Sequence, residues 1–181
     1  VRDELQAEIL RLQADLRKTV VFVTHDIDEA IKLGDKVAVF GPGGVLQQYD
    51  PPARLLSDEP IMTIGHVSKT YRTGGFLGRG QRVTHAVKDV SLVLPKGATL
   101  GIVGESGSGK STLARCLVRL IDPESGEIRL NGVDLASLSR EEMRSATRDI
   151  QMVFQDPFAS LNPRRKAGEA VAQGLIVHGM R

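Results

Sequence analysis

Nine consecutive residues, Gly104-Glu105-Ser106-Gly107-Ser108-Gly109-Lys110-Ser111-Thr112, hold the densest concentration of chemistry in the chain. They fit Gly-x4-Gly-Lys-[Ser/Thr] in full, and each fixed position has a physical purpose. Successive main-chain N–H groups turned inward form a nest for an anion, and the N-terminus of a following helix adds partial positive charge. Gly107 and Gly109 let the backbone approach a phosphate with no Cβ in the way. The Lys110 ammonium suits β- and γ-phosphate oxygens, and the Ser111 hydroxyl suits the oxygen shell of magnesium. An ordinary glycine-rich turn ahead of a helix is the plain alternative. The strand read before the loop and the helix read after it argue against that alternative.

A phosphate loop indicates a nucleotide, not a reaction, and two further residues narrow the chemistry. Gln155 follows an apolar run and precedes Asp156-Pro157, where its amide can ligate magnesium or orient water. Taken singly, such a residue is more often a solvated loop residue. Tyr71 closes the first strand of its half and can stack on adenine, although packing alone explains a lone tyrosine.

These residues need elements to position them. Leu5, Ile9, Leu12 and Leu16 make one apolar helical stripe. Val20-Val21-Phe22-Val23 then reads as a short buried strand, parallel because both faces are apolar, ending in Thr24-His25-Asp26. Residues 26–33 read as a helix closed by Gly34, and Lys36–Phe40 as a second strand. Gly41-Pro42-Gly43-Gly44 is a turn and 45–49 a return strand. Pro51-Pro52 opens a short helix through Leu56. In the second half, 61–71 alternates as a strand, 74–80 is a glycine-rich loop, and 87–94 is a strand stopped by Pro95-Lys96-Gly97. The apolar strand 99–103 feeds directly into the nine-residue loop, and 113–121 continues as a helix. A strand at 126–130, a tight Asn131-Gly132 turn and a Ser139/Glu142 capping box follow. Residues 150–154 read as one more apolar strand, and the pattern turns helical from Leu161.

The 181 residues are 41% hydrophobic and 25% charged, which suits a globular protein. The longest apolar runs fall far short of the ~18–20 residues of a membrane span. Cys116 is the single cysteine, so a disulfide framework and a Cys-based zinc cluster are excluded within the chain and a reducing compartment is expected. No secretory leader opens the chain, and the start at Val1 suggests a piece of something longer. Residues 1–59 carry 7 basic and 11 acidic side chains, whereas 60–181 carry 17 and 11. The basic residues are scattered apart from Arg164-Arg165-Lys166, and aromatics are 4% with no Trp, so nucleic acid is not an expected partner. The asymmetry points instead to two halves of different origin.

Residues 61–181 resemble the N-terminal half of an ABC transporter ATPase domain, especially of dipeptide and oligopeptide importers. Tyr71, the loop 104–112, Ser125-Gly126-Glu127-Ile128, the segment 150–156 and Phe158-Ala159-Ser160-Leu161-Asn162-Pro163-Arg164 carry the likeness. Residues 1–57 resemble the C-terminal end of such a domain, of the osmoprotectant or amino-acid importer type. Thr24-His25-Asp26 with Asp28-Glu29-Ala30 is similar to the switch-histidine segment, and 44–51 to the closing turn and helix. The resemblance implies an α/β P-loop NTPase fold of the ABC ATPase kind, with an incomplete parallel core sheet plus an antiparallel β subdomain. It assigns residues 1–59 and 60–181 as two domain pieces. It implies that Tyr71 stacks on adenine, that Gly104, Glu105, Ser106, Gly107, Ser108, Gly109, Lys110, Ser111 and Thr112 hold ATP, and that Ser111 and Gln155 ligate Mg2+. Lys110, Gln155 and His25 are the implied catalytic groups, with His25 on the γ-phosphate. The implied partners are a second ATPase domain and transmembrane permease subunits, which would hold the protein at the cytoplasmic face of the cell membrane.

The two likenesses cover nearly the whole chain in reversed order. The family's intervening Leu-Ser-Gly-Gly-Gln does not occur. Its acidic strand has one imitator, Leu55-Leu56-Ser57-Asp58-Glu59-Pro60, in which only two apolar residues precede Ser57. A seam between a domain tail and the next domain's head is preferred there to a working acidic site. The chain reads as a window across a tandem junction or as a fusion of unlike parents, towards which the differing class likenesses lean. Binding is expected to outlast turnover, since hydrolysis needs a positioned carboxylate. Residues 20–23 are expected beside 100–103 despite the reversed order, leaving an apolar edge where the acidic strand is missing. The competing readings are a non-catalytic fragment completed by another chain and a small-molecule kinase. Tyr71, Gln155 and the tail-like first half speak against the kinase.

Overall fold

Thr99-Leu100-Gly101-Ile102-Val103 offers apolar surface on both faces and backbone donors and acceptors on both edges. Such a strand is stable only when covered above and below and paired left and right. In a computed structural model, which describes residues 11, 19–50, 60–74, 82–153, 162, 164–177 and 179, both neighbours come from the first fifty residues. The strand β1 (Val20–Thr24) is followed by helix α1 (Ile27–Leu33), β2 (Lys36–Phe40), a 3-10 turn at Pro42–Gly44 and β3 (Leu46–Asp50). Next come β4 (Pro60–Thr73), β5 (Arg82–Pro95), β6 (Thr99–Gly104), α2 (Lys110–Leu117), β7 (Ser125–Leu130) and β8 (Val133–Asp134). Helices α3 (Arg140–Ala146) and α4 (Ala167–Val177) belong to one compact unit, Leu138–Arg181, and the elements before them to another, Val1–Ser137.

The first unit contains two four-stranded sheets. One has the order β1-β6-β2-β3, with β1, β6 and β2 parallel and β3 antiparallel to β2. Val20 to Thr24 lie opposite Thr99 to Val103, and Lys36 to Phe40 opposite Leu100 to Gly104. The expected pairing of 20–23 with 100–103 is therefore present, and β1 is the end strand of this sheet among the described residues. Cross-links at the foot of β6 fix the register. The Gly97 amide donates to Thr19 Oγ1 at 2.7 Å, and the Thr99 amide to Asp35 Oδ2 at 2.8 Å. Lys36, buried, donates to the Tyr49 hydroxyl at 3.1 Å, and that hydroxyl donates to the Val93 carbonyl on β5. Leu100, Ile102 and Leu113 are fully buried between the sheet and its helices. Truncating one such side chain to Ala typically costs about 2–5 kcal/mol.

The other sheet is antiparallel, in the order β5-β4-β7-β8. Its last hairpin turns at Asn131 (φ 50°) and Gly132 (φ 79°), the two left-handed residues a type I′ turn requires. Among the described residues, a small parallel core sheet with an antiparallel β subdomain is thus the observed architecture.

Two expectations need correction. The helix read over 113–121 runs from Lys110 to Leu117. It stops because Arg119 adopts φ 52°, and the amides of Arg119 and Leu120 turn back to the carbonyls of Cys116 and Arg115, both at 2.9 Å. This is a Schellman closure with arginine where glycine is usual. The Arg119 guanidinium holds it in place, bonding Leu135 O at 2.5 Å and Asp122 Oδ1 at 3.2 Å. Residues 150–153 form no strand, and Val153 is 93% exposed. A short apolar run becomes a strand only with a ladder to join. The stripe at Leu5, Ile9, Leu12 and Leu16, the helix opened by Pro51, and Asp58-Glu59 lie outside the described residues. So do 75–80 of the glycine-rich loop.

Candidate functional site

Strand β6 carries the chain to Gly104 at the C-terminal end of the parallel sheet, and α2 begins six residues later. Between them Gly107 and Gly109 take left-handed φ values of 80° and 97°. Gly109 is the residue preceding the helix, and no side chain caps its N-terminus. A helix N-terminus holds amides without intrahelical acceptors, and most helices cover them with Ser, Thr, Asp or Asn. Here Ser108 stands one position early and is buried, so the first amides of α2 face the loop without a side-chain acceptor. This is the arrangement that receives an anion.

Lys110, on the first turn, folds over the loop. Its ammonium donates to the carbonyls of Gly104 at 2.8 Å and Glu105 at 2.6 Å, and reaches Ser108 Oγ at 3.4 Å. Partial burial pushes its pKa below the usual lysine value. The charge therefore sits at the rim of the nest, where phosphate oxygens give it stronger partners than neutral carbonyls do. Glu105, Ser106, Gly107 and Ser111 are exposed, and Gly104 and Thr112 half-buried.

His25 is the residue after β1, exposed, one step beyond the Thr24–Val103 pair. The sheet thus brings it level with the opening of the loop. Its backbone is bracketed on both sides. The Thr24 hydroxyl donates to Glu29 Oε2 at 2.6 Å and accepts from the Asp26 amide at 3.1 Å. Asp26 Oδ1 in turn caps α1, accepting from the amides of Asp28 and Glu29 at 3.0 and 3.2 Å. Thr24 and Glu29 both lie in the segment likened to a switch histidine's surroundings, and the local bond between them ties the end of β1 to the first turn of α1.

Tyr71 lies near the end of β4, half-buried, opposite Thr84 of β5, with the Lys69 ammonium 6.0 Å from its ring centre. Gln155 lies outside the described residues. Among the described residues, no three His, Cys, Asp or Glu side chains converge as a metal site. No helix among them is long and apolar enough to cross a membrane.

A parallel strand, a glycine-rich loop and an uncapped helix in this order define a P-loop NTPase fold. A family model described as ABC transporter matches residues 87–177. The glutathione import ATP-binding protein GsiA of Escherichia coli (strain K12) is 32% identical over an alignment of 231 residues, covering 97% of this chain and 37% of GsiA. GsiA of Shigella boydii matches to the same extent. The chain thus spans little more than a third of the length of these relatives. Among solved structures, the ATP-binding cassette MJ0796 in a dimeric post-hydrolysis state with ADP and Pi superposes with a TM-score of 0.55. It is 33% identical over 64% of this chain and 47% of that one. A second dimeric MJ0796 structure, a bacterial ABC transporter cassette, gives 0.52 at 30% identity over the same shares. The chain belongs to the ABC transporter family.

Proposed function

We propose that the chain binds Mg-ATP in the loop 104–112 and forms part of an ATPase that powers import of a solute, a peptide by the class it resembles. The observation that carries this reading is the uncapped N-terminus of α2, entered through Gly109 at φ 97° with the Lys110 ammonium across the loop. The residues fit the ligand. The first amides of α2 and Lys110 address phosphate oxygens, and the exposed Ser111 hydroxyl stands on the first turn for magnesium. A magnesium ion would bring its remaining ligands from the phosphates and water. His25 is the group poised for the far end of the triphosphate, and Tyr71 is the candidate for the base.

Hydrolysis by this chain alone is expected to be weak. Leu-Ser-Gly-Gly-Gln is absent from its sequence, and Asp58-Glu59 is a poor substitute for the acidic strand. A second ATPase domain would complete the site, and permease subunits would couple it to transport at the inner face of the membrane. The GsiA alignment is longer than the 181-residue chain yet keeps its order, so the relative carries residues with no counterpart here. That supports a junction in which the tail of one ATPase domain precedes the head of the next.

Calorimetric titration of Mg-ATP into wild type and Lys110→Ala tests the binding reading. Losing a charge-assisted contact worth about 1.5–3 kcal/mol should weaken affinity roughly 10- to 150-fold. Equal affinity in the two proteins would reject the loop as the nucleotide site.

A further inference from the structure

The 3-10 turn Pro42–Gly44 reaches the back of the phosphate loop, a contact that neither sequence motif nor family model assigns. Gly44 is buried with φ +74°. A Cβ there would stand 2.2 Å from the Ala86 carbonyl oxygen and 2.7 Å from the Val87 nitrogen. Gly109, the residue that opens α2, presses on the same peptide group. A Cβ on Gly109 would lie 1.7 Å from the Ala86 oxygen and 3.4 Å from the Gly44 Cα. Real Cβ atoms do not approach closer than about 3 Å. One peptide of β5 is thus held between two glycine backbones, one from the first fifty residues and one from the nest. A parallel bridge between Val45 and Lys88 continues the contact one residue further on.

We infer that Gly44 is a positioning residue for the phosphate nest. It acts through the Ala86 peptide on Gly109 and so sets the angle at which the amides of α2 meet the ligand. An atom added at Gly44 must displace the Ala86 peptide by about an ångström, and Gly109 stands against that peptide. Displacements of that size in a positioning group cost up to about a hundredfold in an interaction that depends on geometry. The inference rests on the Mg-ATP reading above, and the controls below separate the two.

The fold supplies its own control. Gly43 sits in the same turn at φ +77° but has nothing within 4 Å of its Cβ position. Gly43→Ala and Gly44→Ala therefore carry the same left-handed strain, and only the second meets Ala86. With the full chain and Mg-ATP as probe, Gly43→Ala should bind within about twofold of wild type and Gly44→Ala at least about tenfold more weakly. If Gly44→Ala matches Gly43→Ala while Lys110→Ala loses binding, the positioning role is overturned and the nucleotide site stands. If Lys110→Ala also binds as wild type does, the nucleotide reading fails first. Should Gly44→Ala not fold, amide hydrogen exchange on wild type decides. Mg-ATP should slow exchange at Gly44 and Val45 at least about tenfold while leaving the Asn131-Gly132 turn unchanged. No change at Gly44 and Val45 would overturn the inference.

Discussion

Lys110 is the residue whose protonation decides what the nest can hold. Partial burial favours the neutral amine, so the proton leaves below the usual lysine pKa of 10.5. The ammonium supplies attraction only below that lowered value. Affinity for Mg-ATP should therefore be flat near neutrality and fall as pH rises, sooner than an ordinary lysine predicts. Lys110→Arg, charged throughout, should lack the decline although its fork fits the loop less well. Titrations from about pH 7 to about pH 10.5 check this, and parallel profiles for the two proteins would refute it. The shape of the loop was legible in the sequence because Gly107 and Gly109 set its left-handed turns locally. Gly44 was not legible as a neighbour of the loop, because Ala86 lies far from it in sequence and meets it only after the chain folds.

At the scale of elements, the helix α3 of the second unit depends on its first turn. Ser139 Oγ accepts from the Glu142 amide at 3.3 Å, and Glu142 Oε2 accepts from the Ser139 amide at 2.8 Å. Hydrogen bonding from the Ser139 hydroxyl, and then from the Ser139 amide, holds the Glu142 carboxyl below its ordinary pKa of 4.5. A lowered carboxylate pKa contributes stability above the unfolded value and loses it as pH falls through the folded one. Helicity over Arg140–Ala146 should thus persist at neutral pH and fray only as acid takes the pH below 4.5, through the lowered folded value. Ser139→Ala should cost about 1 kcal/mol, read as faster amide exchange in that helix at pH 7. Unchanged exchange would show that the box is not holding the turn. This box, the Asn131-Gly132 hairpin and β1, β2 and β6 were visible in sequence because local signals and burial agreed. Residues 150–153 were misread because apolarity without a neighbouring strand gives no ladder. The helix after the loop was read too long because the stop, Arg119 at φ 52°, is set by its bonds to Leu135 and Asp122.

For the molecule as a whole, the reversed order of its two likenesses does not prevent a shared sheet. Three strands from the first fifty residues flank and extend β6, and bonds from Thr19 and Asp35 lock them at its foot. Parallel pairing fixes only which edges meet, so a tail segment can pair with the phosphate-loop strand whether it precedes or follows in sequence. His25 follows the strand paired with β6, and Gly44 packs against the Ala86 peptide beside Gly109, for that reason. The most direct measurement is a Mg-ATP titration of the isotopically labelled full chain, followed at the backbone amides of the loop and the strand ends. The account predicts large saturable shifts at Gly107, Gly109, Lys110 and Ser111, with smaller ones at His25 and Gly44. Amides of 104–112 that stay in place while nucleotide binds elsewhere, or does not bind, would contradict it.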